Sequence, residues 1–286
     1  MKAMVLAAGL GTRLRPLTND CPKALVEING RTLLEITIDR LKKFGVTELI
    51  VNVHHHAEKI VSFLKAKNNF NLRIEMSRED DLLLDTGGGL KKAAWFFLEN
   101  NSHEPFLLHN VDVLSSIDLN QMIESHKKNS ALATLAVQQR ISSRQLLFNK
   151  KNLLVGRRIN NQDTLVQNSD TDRSDALHGH SERSEESAFS SHSPLACPER
   201  SQGAAHHSPL AFCGIHVISP RLLNLITESG PFSIIDTHLR LASTKEKIQA
   251  FHADKYYWRD LGRIEDLKKV ASDLAQELSC DSIDLT

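Results

Sequence analysis

Aromatic residues make up only 5% of the 286 residues, with two Trp and two Tyr beside eleven Phe. A surface that grips unstacked bases between aromatic rings is therefore not expected. An excess of either charge is missing as well. Thirty-five Lys plus Arg meet thirty-five Asp plus Glu, so the chain lacks the overall field of a nucleic-acid binder, and no nucleic-acid partner is expected. Apolar runs such as Ala131–Val137 fall far short of the ~20 residues that cross a bilayer, so no membrane partner is expected either. Met1–Gly9 begins like an export signal, but its short apolar run leads straight into Gly, Thr and Arg, which sets the expectation of a cytoplasmic protein. The four cysteines, Cys21, Cys197, Cys213 and Cys280, form no CxxC pair and match neither a zinc ribbon nor a redox motif; reduced structural thiols are expected.

What is present is a regular βαβα rhythm. A β-type run over residues 3–8 ends in Gly9, and Thr32–Phe44 has apolar residues at helical spacing. Strands are expected at Glu48–Val53, Leu72–Met76 and Pro105–Leu108, with helices through Ile60 and Phe63, over Leu90–Leu98 and over Asp118–His126. This alternation predicts an α/β fold, a mainly parallel sheet wrapped by helices on both faces. From residue 131 the pattern shifts to short strands at Ala131–Gln138, Arg144–Phe148 and Leu153–Gly156, expected to form a small antiparallel extension. A strand at Ala211–Ile218, a helix at Ser233–Leu241, a strand at Ile248–His252 and a helix at Ile264–Leu278 then return to the main sheet. The whole of 1–286 reads as one domain, long enough to bury about 70–75% of its unfolded surface.

Residues 160–208 break the rhythm. They are rich in Ser, carry few large apolar residues, and repeat themselves: His192–Ala196 and His207–Ala211 both read HSPLA. The expectation is a disordered, low-complexity insertion, since such a stretch has little to bury. Its HSERSEES wording resembles peptides translated from short repetitive genomic elements. Lengthening a loop from about ten to about fifty residues costs only ~1.4 kcal/mol of closure entropy, which a domain of this size tolerates. The histidines here lack ligand spacing, and the run His54-His55-His56 at a strand end points its rings in alternating directions; neither reads as a metal site.

The densest chemical signal is Leu6–Thr18, LAAGLGTRLRPLT, followed by Pro22-Lys23. Gly9 and Gly11 allow close backbone approach and expose the amides of Leu10, Gly11 and Thr12 to an anion, while Arg13 and Lys23 add positive charge. A Walker loop would need Lys and then Ser or Thr directly after the last Gly. A dinucleotide-binding loop would need Gly where Leu14 stands and an acid where His54–His56 stand. Neither is met.

The string GLGTRLRPLT with Pro22-Lys23 resembles the signature of the sugar-1-phosphate nucleotidyltransferases (nucleotide-sugar pyrophosphorylases), and the resemblance covers nearly all of the chain outside the insertion. Asp85–Leu90 (DTGGGL), the WRDLGRIEDL segment and the expected absence of a long C-terminal left-handed β-helix make it most similar to the short enzymes of the N-acetylmuramate-1-phosphate uridylyltransferase and mannose-1-phosphate guanylyltransferase type. The resemblance implies a GT-A-like, Rossmann-type three-layer α/β/α fold and a transferase that couples a nucleoside triphosphate to a sugar 1-phosphate. It also implies a Mg²⁺ cofactor and a monomer or homodimer. A decayed, nucleotide-sugar-binding regulator is the alternative.

Carried over residue by residue, Leu10, Gly11, Thr12, Arg13 and Lys23 would bind the triphosphate, with Arg13, Lys23 and Asp112 catalytic. Thr86, Gly87 and Gly88 would meet the nucleobase. Asp112, in HNVDVL, and Asp260, in WRDLG, would hold the metal, and Asn110 and Gly214 would line the sugar pocket. Val111 stands where the family has Gly, and a Glu-Lys pair that relatives carry between residues 150 and 210 has no counterpart.

Overall fold

The computed structural model describes residues 1–166 and 207–277. In chain order the elements are β1 (Lys2–Leu6), β2 (Glu27–Ile28), β3 (Arg31–Thr32), α1 (Leu33–Lys43), β4 (Glu48–Val53), α2 (Ala57–Ala66), β5 (Arg73–Arg78), α3 (Asp85–Lys92), α4 (Ala94–Leu98), β6 (Phe106–Asn110), β7 (Val113–Ser115) and α5 (Leu119–Asn129). They continue with β8 (Ala133–Gln138), β9 (Arg144–Phe148), β10 (Leu154–Ile159), β11 (Gln162–Leu165), β12 (Ser208–Ile218), α6 (Ile234–Ser243), β13 (Ile248–His252), β14 (Trp258–Asp260) and α7 (Ile264–Glu277).

The strands are apolar on both faces because both faces are covered. Ala3 and Val5 of β1, Leu49 and Val51 of β4 and Leu107 of β6 enter one core with α1, α2, α5 and α7. Their alternates, Met4, Ile50 and Leu108, enter a second core with α3, α4 and α6. Period-two alternation thus splits each strand between two hydrophobic layers, the pattern of a parallel sheet buried from both sides. The expected three-layer α/β/α architecture is found.

The sheet runs β5-β4-β1-β6-β12, with β8 and then β13 beyond β12. Strands β5, β4, β1 and β6 are mutually parallel, β12 is antiparallel to β6 and β8, and β13 runs parallel to β8. The outer half of β12 diverges to pair with β9, which leads through β10 to β11 and forms the antiparallel extension. The bulge in β12 between Phe212 and His216 lets one strand serve both ladders.

Caps explain several boundaries. Thr32 accepts a hydrogen bond from the Glu35 amide at the start of α1, Asp118 accepts from Gln121 at α5, and Ser233 accepts from Ile235 at α6. The helix expected over Leu90–Leu98 is two helices that meet at Ala93, and the first begins at Asp85, so the three glycines lie inside α3 rather than in a loop. Glycine is a poor helix former, but here tertiary packing overrides propensity. A β-carbon on Gly87 would come 2.3 Å from the Phe232 ring and one on Gly88 would come 2.6 Å from the Gly230 carbonyl. The first strand ends at Leu6, leaving residues 7–8 to the loop. At the edges of the expected 160–208 insertion, Gln162–Leu165 and Ser208 belong to strands β11 and β12; residues 167–206 lie outside the described residues. Cys213 is buried, and burial pushes its thiol up to about 12; Cys197 and Cys280 lie outside the described residues. Among the described residues no helix is long and apolar enough to cross a membrane.

Candidate active site

Two clefts open at the carboxyl ends of the parallel strands and meet at Asn110. The first, about 340 Å³, is lined by residues that include Ala7, Ala8 and Gly9 after β1, Lys23, Asn52, Glu79, Asp85, Thr86 and Asp112. The second, about 530 Å³, is lined by Gln138, Arg140, Gly214, Trp258 and Asp260 among others. Ligands of open α/β sheets bind at this edge, where successive crossovers leave a crevice.

The glycine loop folds back on itself. Gly11 has φ +63°, and a β-carbon there would lie 2.9 Å from Thr18 Cγ2 and 3.1 Å from Lys23 Cβ. Thr18 Oγ1 donates to the Gly11 carbonyl at 2.8 Å, which fixes the loop's return toward Pro22-Lys23. Glycine is required both for the left-handed backbone and for the contact. Leu10, Thr12 and Arg13 stay exposed on this loop, Leu14 anchors it in the core, and Lys23 is 9% exposed.

Lys23 forms a salt bridge with Asp112, their side chains 11% and 17% exposed. Asp112 follows β6, and the short ladder between β7 and β14 brings Asp260 beside it: Asp260 pairs with Val113, and the Leu261 amide donates 2.7 Å to the Asp112 carbonyl. Sequence reading had no sign of this two-stranded ladder, because each strand has only three residues. Asp260 Oδ1 accepts the Gly262 amide at 2.7 Å. A β-carbon on Gly262 would fall 2.6 Å from both that oxygen and Arg13 Nη2, so the glycine lets the Arg13 guanidinium and the Asp260 carboxylate approach. Lys23, Arg13, Asp112 and Asp260 are therefore brought together from three distant chain segments.

Val111 is buried, and its amide donates to Leu6 O at 3.1 Å. It is absent from the residues of positive φ, so the chain passes Asp112 on a path that needs no glycine. The sugar-side pair also meets: a β-carbon on Gly214, at φ +77°, would lie 2.9 Å from Asn110 Nδ2.

On the nucleobase side only Thr86 of the three expected residues lines the cleft; Gly87 and Gly88 face Phe232 and Gly230. The Gly87 amide donates to Phe232 O at 2.9 Å, and Thr86 Oγ1 accepts the Ile234 amide at 3.0 Å. Asn52 and Glu79, which sequence reading missed, tie this wall to the glycine loop. Asn52 accepts from the Ala7 amide and donates to Glu79 Oε1 at 2.8 Å, and Glu79 Oε2 accepts the Leu84 amide at 2.8 Å. A polar Asn in the otherwise apolar ELIVNV was the available signal. His54 instead contacts the Glu79 carbonyl, and His56 opens α2 in a left-handed conformation.

Among the described residues no group of three or more His, Cys, Asp or Glu could hold a metal unaided. Asp112 and Asp260 supply two carboxylates, a donor set that suits a hard cation sharing phosphate oxygens.

Residues 2–145 match the family model described as nucleotidyl transferase. The chain is 46% identical over 112 residues to N-acetylmuramate alpha-1-phosphate uridylyltransferase of Caulobacter vibrioides, covering 38% of this chain and 45% of the relative. It is 37% identical over 138 residues to mannose-1-phosphate guanyltransferase of Aspergillus fumigatus, covering 48% and 37%. It is also 34% identical over 145 residues to UTP--glucose-1-phosphate uridylyltransferase of Synechocystis, covering 47% and 36%. The matches thus span less than half the length of these curated relatives. Among solved structures, the fold is shared with UDP-glucose pyrophosphorylase bound to UDP-glucose, at TM-score 0.67, 15% identity and coverage of 96% and 98%. It is shared too with inositol-1-phosphate CTP transferase of T. maritima, at TM-score 0.65, 16% identity and coverage of 96% and 95%.

Proposed function

The chain belongs to the nucleotidyl transferase family, and from that premise we propose that it couples a nucleoside triphosphate to a sugar 1-phosphate, releasing pyrophosphate. The observation that carries this reading is the meeting of Lys23, Asp112 and Asp260 where the two clefts join. One cleft takes the nucleotide and the other the sugar, so the two phosphates face each other across Asn110.

A phosphate oxygen of the sugar 1-phosphate attacks the α-phosphorus in line, and the bond from that phosphorus to the bridging oxygen breaks as pyrophosphate leaves. Lys23 stabilises the charge on the transferred phosphoryl group, and Arg13 with the amides of Leu10–Thr12 holds the leaving phosphates. No protein nucleophile is required. Asp112 and Asp260 would hold Mg²⁺, which when bound neutralises phosphate charge. The relatives' names make N-acetylmuramate 1-phosphate and mannose 1-phosphate the first acceptors to try, with UTP and GTP as the donors.

Pyrophosphate release should be measured for the full chain with each nucleoside triphosphate against several sugar 1-phosphates. At least one pair is expected to turn over in Mg²⁺ and to stop in EDTA; silence across the whole screen would refute the reaction. Asp112→Asn and Asp260→Asn should each lower turnover about 10²-fold with the fold retained by circular dichroism, the scale for loss of one charge-stabilising group. Near-normal rates in either variant, or full activity in EDTA, would overturn the metal assignment.

A further inference from the structure

The second cleft contains a cation that the reaction above does not use. Arg140 lies just past the end of β8, its guanidinium 3.9 Å from the centre of the Trp258 ring. Its Nη2 donates to the Phe212 carbonyl at 2.8 Å, and its Nε is buried without a partner. The other arginine in this cleft, Arg259, is engaged by Asp273 at 3.3 Å and faces Asp266. Asp254, next along the rim, accepts the Gln139 amide and lies near His252. Among the described residues Arg140 has no carboxylate partner, although its site is half-buried and burial pulls its pKa down. A guanidinium that is partly desolvated and left without an anion is costly unless a ligand supplies one.

Position decides which part of the ligand that is. Trp258 and Asp260 are two residues apart on β14, a step of about 6.6 Å along the strand. Asp260 belongs to the phosphate end, with Asp112, Lys23 and Arg13. Arg140, stacked on Trp258, therefore stands across the breadth of a pyranose ring from that end. It is too far along the cleft to share the 1-phosphate, and it faces the ring's distal substituents. Its planar fork matches a carboxylate, and the cation–π contact with Trp258 holds the fork in place.

We propose that Arg140 is a specificity-determining residue of the acceptor site, binding a carboxylate borne by the sugar ring, so that the preferred acceptor is an acidic sugar 1-phosphate. This rests on the sugar-nucleotidyltransferase reading above and adds the chemical class of its acceptor.

The matched probes are N-acetylmuramate 1-phosphate and N-acetylglucosamine 1-phosphate, which differ by the lactyl ether and its carboxylate. Wild-type protein should favour the acidic probe by about tenfold or more in kcat/KM, expressed mainly in KM, the scale of one charge-assisted hydrogen-bonded pair. Arg140→Gln should reduce that ratio at least fivefold, and Arg140→Lys should recover part of it, since a purely structural role would lower both probes together. A wild-type ratio near one, or a ratio that moves less than fivefold in Arg140→Gln, overturns the proposal. If the glutamine variant does not fold, the same threshold applied to Arg140→Lys decides. Failure of every sugar 1-phosphate to turn over would count against the reaction instead, and calorimetric binding of the two probes would still read the preference for the carboxylate.

Discussion

Lys23→Ala is expected to lower kcat by about 10³-fold, whereas Arg15→Ala should change it less than about threefold. Both residues belong to one short basic segment, and composition cannot tell them apart. Lys23 is 9% exposed and held against Asp112, where removing a preorganised donor costs about 10²–10³ and leaves a carboxylate facing the incoming phosphates. Arg15 is exposed and forms no ion pair among the described residues, so its charge is screened by water. Lys23→Met keeps the apolar stem that packs near Gly11 and separates charge loss from loop collapse. Steady-state kinetics on the three variants, with melting curves as a control, would check this. Equal losses at positions 15 and 23 would show that the loop acts as a diffuse basic patch.

Stability should fall steeply between pH 6.5 and 4. Four buried histidines lie in the sheet and on the helices against it. Burial lowers His109 and His126 to about 4 and His238 to about 3, and it holds His216 well below its ordinary value. His238 Nε2 and His216 Nδ1 lie 3.2 Å apart, and His126 bridges Thr134 and Ser219. Unfolded histidines titrate near 6.5, so between 6.5 and 4 the unfolded chain binds more protons than the native one. Stability is then fully present above 6.5 and drains away as pH falls. At pH 5 a histidine held at about 4 costs about 2 kcal/mol by linkage, so the group together removes much of the 5–15 kcal/mol typical of a domain. Urea titrations at pH 7.5, 6 and 5 should show the midpoint dropping at each step. His126→Gln keeps hydrogen-bonding capacity without the titration and should flatten the slope. A midpoint that is level from 7.5 to 5 would mean these rings reach solvent.

Much of the fold could be read from the chain because its signals are local. Glu48–Val53, Arg144–Phe148 and Ile248–His252 appear as strands at the expected bounds, since β-branched and apolar runs flanked by polar residues suffice to define them. The helix starts at Thr32, Asp118 and Ser233 are equally local, each set by a side chain reaching an amide two or three residues on. The glycine loop and the two acids were visible as residue types in a sequence order that a known family shares.

Other features depend on contacts between distant segments. The Asp112–Asp260 pairing comes from a three-residue ladder with no periodicity of its own, and it forms only because Ser115 and Trp258 are carried to the same sheet edge. The glycines of α3 were expected to face the base, yet two of them serve to admit Phe232 and Gly230, a need that arises only once α6 is docked. Arg140 gave no signal at all, being one charge in a polar turn until Trp258 is folded beneath it. Propensity and patterning are properties of neighbours in the chain and so specify strands, helices and the loop that could bind phosphate. Which charges are paired, which are left open and which face the sugar are properties of neighbours in space, settled when packing brings β8, β12 and β14 together around one cleft.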